Sequence, residues 1–322
     1  MRLKRKVPVF SIIFLTVIIL GCIIIPFFYN GSAEYMNLSN LSIPPNSKYF
    51  FGTDLLGRDI FKLIWSAGRV SLFIGLFSTI ISTMIGVLYG GVSGFTDVRY
   101  LDKIMLKFLE IIISVPSILI VIFMQGIFKE SIIFNNINFV FLNNSVDINF
   151  LGNLLNANSL KKISEIVSIS IAIGVCNWTS VARIIRVQIK QVKSSEYVLA
   201  SKALGGNFFH ILRKHLIPNT IYPLIFVVIT DFVSAIFMES TLSFFGLGLS
   251  SNISSWGSML SQSSEGVFTG YWWIILVPGI FIITTLVSIT NIANRIQERK
   301  QEGKEGRNKC NIFFSAKNIL KN

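Results

Sequence analysis

Two carboxylates lie in the apolar run from Thr220 to Leu249, at Asp231 and Glu239. Asp231 falls about eleven residues into that run, roughly 16 Å along a helix and close to the middle of a bilayer core. A charged side chain at that depth costs on the order of 3 kcal/mol, so such residues turn inward or serve a function. Asp231 is therefore a candidate ligand-binding residue, or else an acid satisfied by Ser and Thr of neighbouring helices. Glu239 is a second candidate functional acid, or else a structural hydrogen-bonding group. Nothing else in the chain is spaced for chemistry. His210 and His215 stand five residues apart, off a shared α-helical face, and give no metal-ligand geometry. Cys22, Cys176 and Cys310 suggest no disulfide framework. The sequence holds no G-x-x-x-x-G-K-[ST] phosphate loop and no evident Ser-His-Asp set. It is read as containing no catalytic residue, no metal site and no cofactor bound by this chain.

The elements that must position the two acids are membrane spans. Of 322 residues, 52% are apolar and 14% charged, too few charges for an ordinary soluble domain. Runs long enough to cross a bilayer as helix, or nearly so, cover Val7 to Tyr29, Val70 to Phe95, Ile111 to Phe128, Ile166 to Ala182, Thr220 to Leu249, and Tyr271 to Asn294. The fold class is an all-α polytopic membrane protein with six transmembrane helices. The chain divides into an anchor helix with a first outer loop (1–69), a five-helix core (70–294) and a basic tail (295–322). The first apolar run exceeds the usual apolar region of a signal peptide, so it is read as an uncleaved anchor. With both termini in the cytoplasm, the inner segments carry 22 of the 29 Lys and Arg, whereas acids split seven inside and seven outside. That is the positive-inside pattern, and it assigns the +13 net charge to orientation rather than to nucleic acid.

Within the spans, Gly86, Gly90 and Gly94 recur every four residues and leave one helix face bare. Such a stripe lets backbones approach closely, either at a subunit or gating interface or in ordinary bundle packing. Pro116 predicts a kink or local break in the third span, as a gating joint or as packing. The Asn-rich stretch 129–165 is expected to be a surface excursion.

Between the fourth and fifth spans lies a compact polar segment, "SSEYVLASKALGGNFFHILRKHLIPN", residues 194–219. Ser194 or Ser195 can cap a helix, with Glu196 in its first turn, where the dipole favours an acid. Gly205-Gly206 ends it in a left-handed C-terminal cap. Tyr197, Ala200, Ser201 and Leu204 share one face by their spacing. Asn207 is expected to cap a second short helix, FFHILRKHL, which Pro218 closes. Small residues in the middle of the first helix suit insertion into a partner's groove. The alternative is a helix lying among lipid headgroups, held by Lys190, Lys193, Lys202, Arg213 and Lys214.

These residues resemble a known family. "EYVLASKALGGNFFHILRKHLIPN" is similar to the cytoplasmic EAA loop of membrane subunits of binding-protein-dependent ABC importers. Glu196, Tyr197, Val198, Ala200, Leu204, Gly205, His215, Pro218 and Asn219 fit its peptide branch. Leu199 replaces the glutamate of the general loop, and Ser201 its second alanine. "FGTDLLGRDIFKLIWSAGRVSLFIG", "LDKIMLKFLEIIISVPSILI", "NWTSVARIIRVQIK", "ESTLSFFGLGL", "SSWGSML" and "YWWIILVPG" resemble, in order, elements of the C-type permease of dipeptide/oligopeptide (nickel) importers. The likeness runs to about residue 300.

The resemblance implies a permease subunit that pairs with a second, B-type permease around a shared pathway. It implies two ATPase subunits beneath, using ATP and Mg, and an extracytoplasmic substrate-binding protein above. It also makes 196–205 a coupling helix, with Glu196, Tyr197, Ala200, Ser201, Leu204 and Gly205 docking on an ATPase. Asp231, Glu239 and Pro116 remain gate or pathway candidates. Cargo stays open between di- or oligopeptides, nickel and another small solute. An ATP-independent secondary transporter is the remaining rival, and no internal repeat supports it.

Overall fold

The computed structural model describes residues 9–28, 35–96, 98–130, 157–250 and 252–319. Among them the architecture is helical throughout. The long elements are α1 (Val9–Phe28), α2 (Ile60–Phe95), α3 (Arg99–Ser114), α4 (Ser117–Glu130), α5 (Ala157–Lys193) and α6 (Glu196–Ala203). A single turn, α7 (Phe208–Ile211), leads through a π-helical turn into α8 (Ile217–Phe244), then α9 (Trp256–Phe268) and α10 (Trp272–Ile319). Five stretches are long and apolar enough to cross a membrane: Val9–Phe28, Ile60–Phe95, Lys162–Lys193, Leu212–Phe244 and Trp272–Glu298. The pair α3–α4 passes the same test jointly, which makes six, but it is bent by 86°.

The third span is therefore a corner at the Pro116 break that the sequence predicts, and it starts at Arg99, earlier than the apolar run Ile111–Phe128. Pro116 cannot donate the backbone hydrogen bond that would carry α3 onward, and it disfavours helical backbone at Val115. Val115 adopts extended backbone, and Leu119 N–H restarts the ladder on Pro116 O at 3.0 Å. The Asn-rich stretch lies largely outside the described residues.

The second span begins ten residues earlier than its uncharged run. Asp59 caps α2, its carboxylate accepting from Phe61 N–H at 3.0 Å. Arg69, whose charge marked the expected boundary, sits within the helix. Its guanidinium donates to Cys22 O at 2.6 Å and Ile23 O at 2.5 Å on α1. Pro26 in α1 explains the opening, since a proline leaves the carbonyl four residues back, Cys22, without its helical donor. Helix α2 thus runs through residue 69, and α10 runs unbroken through residue 294 to Ile319. The outer loop also folds into the core. Arg58 is buried, paired with Asp54 at 2.6 Å and hydrogen-bonded to Gln262 of α9. Trp273 Nε1 donates to Thr53 O at 3.2 Å.

The glycine stripe finds its partner inside the chain. A Cβ at Gly90 would stand 2.4 Å from Ala182 O, and one at Gly86 would stand 2.6 Å from Val181 Cβ. A Cβ at Gly94 would meet Ile189, again on α5. The stripe is the α2–α5 packing surface, which is the plainer of the two readings. A polar clamp reinforces it: Asp102 of α3 accepts from Arg186 at 2.7 Å and from Lys190, both on α5.

Candidate functional site

The segment between α5 and α8 is built around one buried side chain. On α6, Val198 is fully buried and packs with Ile185, Ile189, Ile211 and Leu216. The remaining faces look outward: Glu196, Tyr197, Leu199, Ala200, Lys202 and Leu204 are exposed, Leu204 at 89%. Ser201 is half-buried. Ser195 is the N-cap, but its hydroxyl donates back to Val192 O at 2.5 Å and leaves the first turn of α6 uncapped by a side chain. The other end closes as expected. Gly206 N–H donates to Ser201 O at 2.8 Å and Gly205 N–H to Lys202 O at 3.0 Å, the paired bonds of a Schellman cap. Gly205 takes φ +83°, a conformation costly for any residue with a Cβ.

The second expected helix differs. Pro218 does not close it; the chain turns through Leu212–Leu216 in π conformation and continues directly into the fifth span. Proline sits in the first turn of α8, where a missing N–H costs little. The π turn, with its i to i+5 spacing, also overturns the expectation that His210 and His215 face apart. Their rings lie 6.1 Å apart, and His215 lies 5.5 Å from the Tyr197 ring. Asn219 Nδ2 donates to His215 O at 2.7 Å and approaches Tyr197 Oη at 3.4 Å. Tyr197, His215 and Asn219 thus brace α6 against the start of α8. Among the described residues, no group of three or more His, Cys, Asp or Glu is arranged to hold a metal ion.

The two intramembrane acids have different surroundings. Glu239 is fully buried, and its carboxylate accepts from Ser71 Oγ of α2 at 3.0 Å and from Ser243 Oγ at 2.9 Å. Ser71 Oγ in turn accepts from Trp256 N–H at 3.1 Å, at the start of α9. Glu239 therefore cross-links three helices, in the arrangement of a structural hydrogen-bonding group. Asp231 is 6% exposed and sits beside Ser82 of α2 and Asn177 of α5. Asp231 Oδ2, Ser82 Oγ and Asn177 Nδ2 nonetheless make no well-formed hydrogen bond. Pro116 borders a cavity of about 440 Å³ at the α3–α4 corner, together with Asn177, Ser180, Arg183 and Ser234. Sequence reading gave no sign of Ser71, Ser82 or Asn177, because their partners lie on other helices. The only available signal was the density of serine in apolar runs.

The architecture is a bundle of membrane-length helices with a broken span and a short exposed helix braced between two others. Residues 82–303 match the family of binding-protein-dependent transport system inner membrane components, and the chain belongs to that family. It is similar to the dipeptide transport system permease protein DppC of Bacillus subtilis (strain 168), with 32% identity over 92% of this chain and 81% of that one. Similarity extends to the oligopeptide permease OppC of the same organism, 31% identical over 92% of this chain and 85% of that one. OppC of Haemophilus influenzae is 30% identical over 92% of this chain and 84% of that one. A solved structure of the MetNI methionine ABC transporter in inward-facing conformations superposes with a TM-score of 0.51 at 15% identity. It covers 73% of this chain and 94% of that one, which is a likeness of fold. The protein is an integral membrane permease subunit of a transport system, not an enzyme.

Proposed function

We propose that this chain is one permease of an ATP-driven importer that carries di- or oligopeptides delivered by an external binding protein. A second, B-type permease completes the pathway, and two separate ATPase subunits supply hydrolysis of ATP with Mg. The observation that carries the reading is α6: a short helix anchored by Val198 alone, presenting Tyr197, Leu199, Ala200 and Leu204 outward and braced by His215 and Asn219. An exposed apolar face with small residues fits a groove on a partner, and the brace conveys its displacement to α8. On this reading Glu196, Tyr197, Ala200, Ser201, Leu204 and Gly205 contact the ATPase. The segment is cytoplasmic, as are both termini, in keeping with the distribution of Lys and Arg. Peptide cargo rests on the named relatives, all permeases of peptide transport systems. Membership of a binding-protein-dependent family disfavours a transporter that works without ATP.

Gly205 offers the test. No atom lies within 4 Å of a Cβ built there, so a substitution acts through backbone strain at φ +83° and not through a clash. Gly205→Val reshapes the end of α6 at a cost of about 1–2 kcal/mol, small against the stability of the bundle. Peptide uptake in cells should be abolished while membrane abundance stays normal. Normal uptake at normal abundance would exclude α6 as the coupling element.

A further inference from the structure

Three helices converge on one buried polar point that holds no ion pair and whose internal contacts are not well-aligned hydrogen bonds. Asp231 of α8, Ser82 of α2 and Asn177 of α5 are each at least nine-tenths buried, and each keeps a polar atom without a well-aligned partner. Ser82 and Asn177 are the interacting neighbours of the Asp231 carboxyl, with no lysine, arginine or histidine among them. An acid in that position is costly and marks a site for a charged or polar ligand. Asp231 and Ser82 lie behind the wall of the cavity at the Pro116 corner rather than in it. Asn177 belongs both to this cluster and to the wall of the cavity at the Pro116 corner, and so does the neighbourhood of Asp231 through Ser234, one turn along α8. The cavity, about 440 Å³, has the size of a small-molecule site. Its one charged lining residue is Arg183, exposed and six residues beyond Asn177 on α5, about 9 Å along the helix. A cavity with Arg183 alone would repel cations, and the Asp231 cluster gives its other end the opposite character.

We propose that this cavity is a cargo-contact site that takes a primary ammonium group, with Asp231 as its carboxylate and Asn177 as the residue a solute meets first. The ammonium donates to Asp231 Oδ2 and Ser82 Oγ, and to Asn177 Oδ1 once that amide turns its Nδ2, the atom now without a well-aligned partner, away from the solute. The chemical class is an amine-bearing solute, and on the peptide-importer reading, on which this assignment of cargo rests, it is the free amino terminus. Pro116 contributes by bending α3 away from α4, which opens the wall opposite Asn177.

The test uses the assembled transporter in membrane vesicles, with Cys22 and Cys310 replaced by alanine. Cys176, in the cavity wall, is one reporter, and Ser234→Cys in a Cys176→Ala background is a second. Each is reacted with 2-aminoethyl methanethiosulfonate, which carries a primary ammonium, and with neutral methyl methanethiosulfonate. The ratio of the two rates, relative to that of a free thiol in solution, should be raised about tenfold or more in the wild-type cavity. Asp231→Asn should return it to the solution value. Asn177→Leu, which leaves the acid in place but closes the approach, should lower it as well. A wild-type ratio at the solution value, a ratio indifferent to both substitutions, or no reaction of either thiol with either reagent would overturn the site. Tri-alanine should slow the labelling and N-acetyl-tri-alanine should not. An ammonium preference that stands while neither peptide protects and neither is taken up would overturn peptide cargo and leave the amine site intact.

Discussion

Asp231 and Glu239 are two turns apart on one helix, both carboxylates, both buried. Glu239 is tied by Ser71 and Ser243, and the Ser71 hydroxyl passes the connection to the backbone of Trp256. Asp231 has comparable neighbours, a serine and an asparagine, yet their contacts with its carboxylate fall short of well-aligned hydrogen bonds. The difference lies in alignment rather than composition. A hydroxyl on the facing helix stabilises a buried acid only when donor and acceptor meet within the narrow angular range of a hydrogen bond. Where they do, removing one partner strands the others at their full desolvation cost, and where they do not, removal costs little. Glu239 is thus a structural cross-link, and Asp231 is a buried acid whose contacts are not well-aligned hydrogen bonds.

Replacing Glu239 breaks the comparison hardest. Glu239→Leu strands the hydroxyls of Ser71 and Ser243 and should cost about 2–3 kcal/mol, seen as a lower melting temperature of the purified protein in detergent and reduced membrane abundance. Ser71→Ala removes one acceptor of Trp256 N–H and one donor to Glu239, and should cost about 1 kcal/mol in the same melt. Asp231→Leu should leave stability within about 0.5 kcal/mol of wild type or raise it, since it removes a buried acid without a formed partner. A loss as large as that of Glu239→Leu would erase the distinction between the two acids. The smallest effect belongs to Ser82→Ala, whose hydroxyl makes no well-formed bond. A melting temperature indistinguishable from wild type is expected, and a fall matching that of Ser71→Ala would show that Ser82 is engaged after all.

A second contrast, between Gly205 and Gly90, shows how far sequence reading reaches. Gly205 was legible, because a glycine pair after a short amphipathic run specifies a left-handed cap through backbone sterics alone. The backbone obeys at φ +83° with open space around it. Gly90 was legible only as a member of a stripe. Which helix approaches to within contact of its missing Cβ, a neighbour or another subunit, depended on where α5 came to lie. The π turn at Leu212–Leu216 was not legible at all. An α-helical register separates His210 from His215 and makes Pro218 a stop, while one extra residue in the turn joins the histidines and carries the helix past the proline.

By itself the sequence determined the helical class, the approximate spans, the Pro116 break and the Gly205 cap. Each of these follows from properties local to the chain: the transfer of an apolar run out of water, the missing N–H of proline, the absent Cβ of glycine. Tertiary structure alone decided that α2 runs back through Arg69, because the free carbonyls that accept its guanidinium are on α1. It decided that the glycine stripe seats α5, and that one buried acid is bonded while the other is not. Those outcomes depend on distances and angles between groups far apart in the chain, which a hydrogen bond or a van der Waals contact reads at a few tenths of an ångström and a linear pattern does not encode.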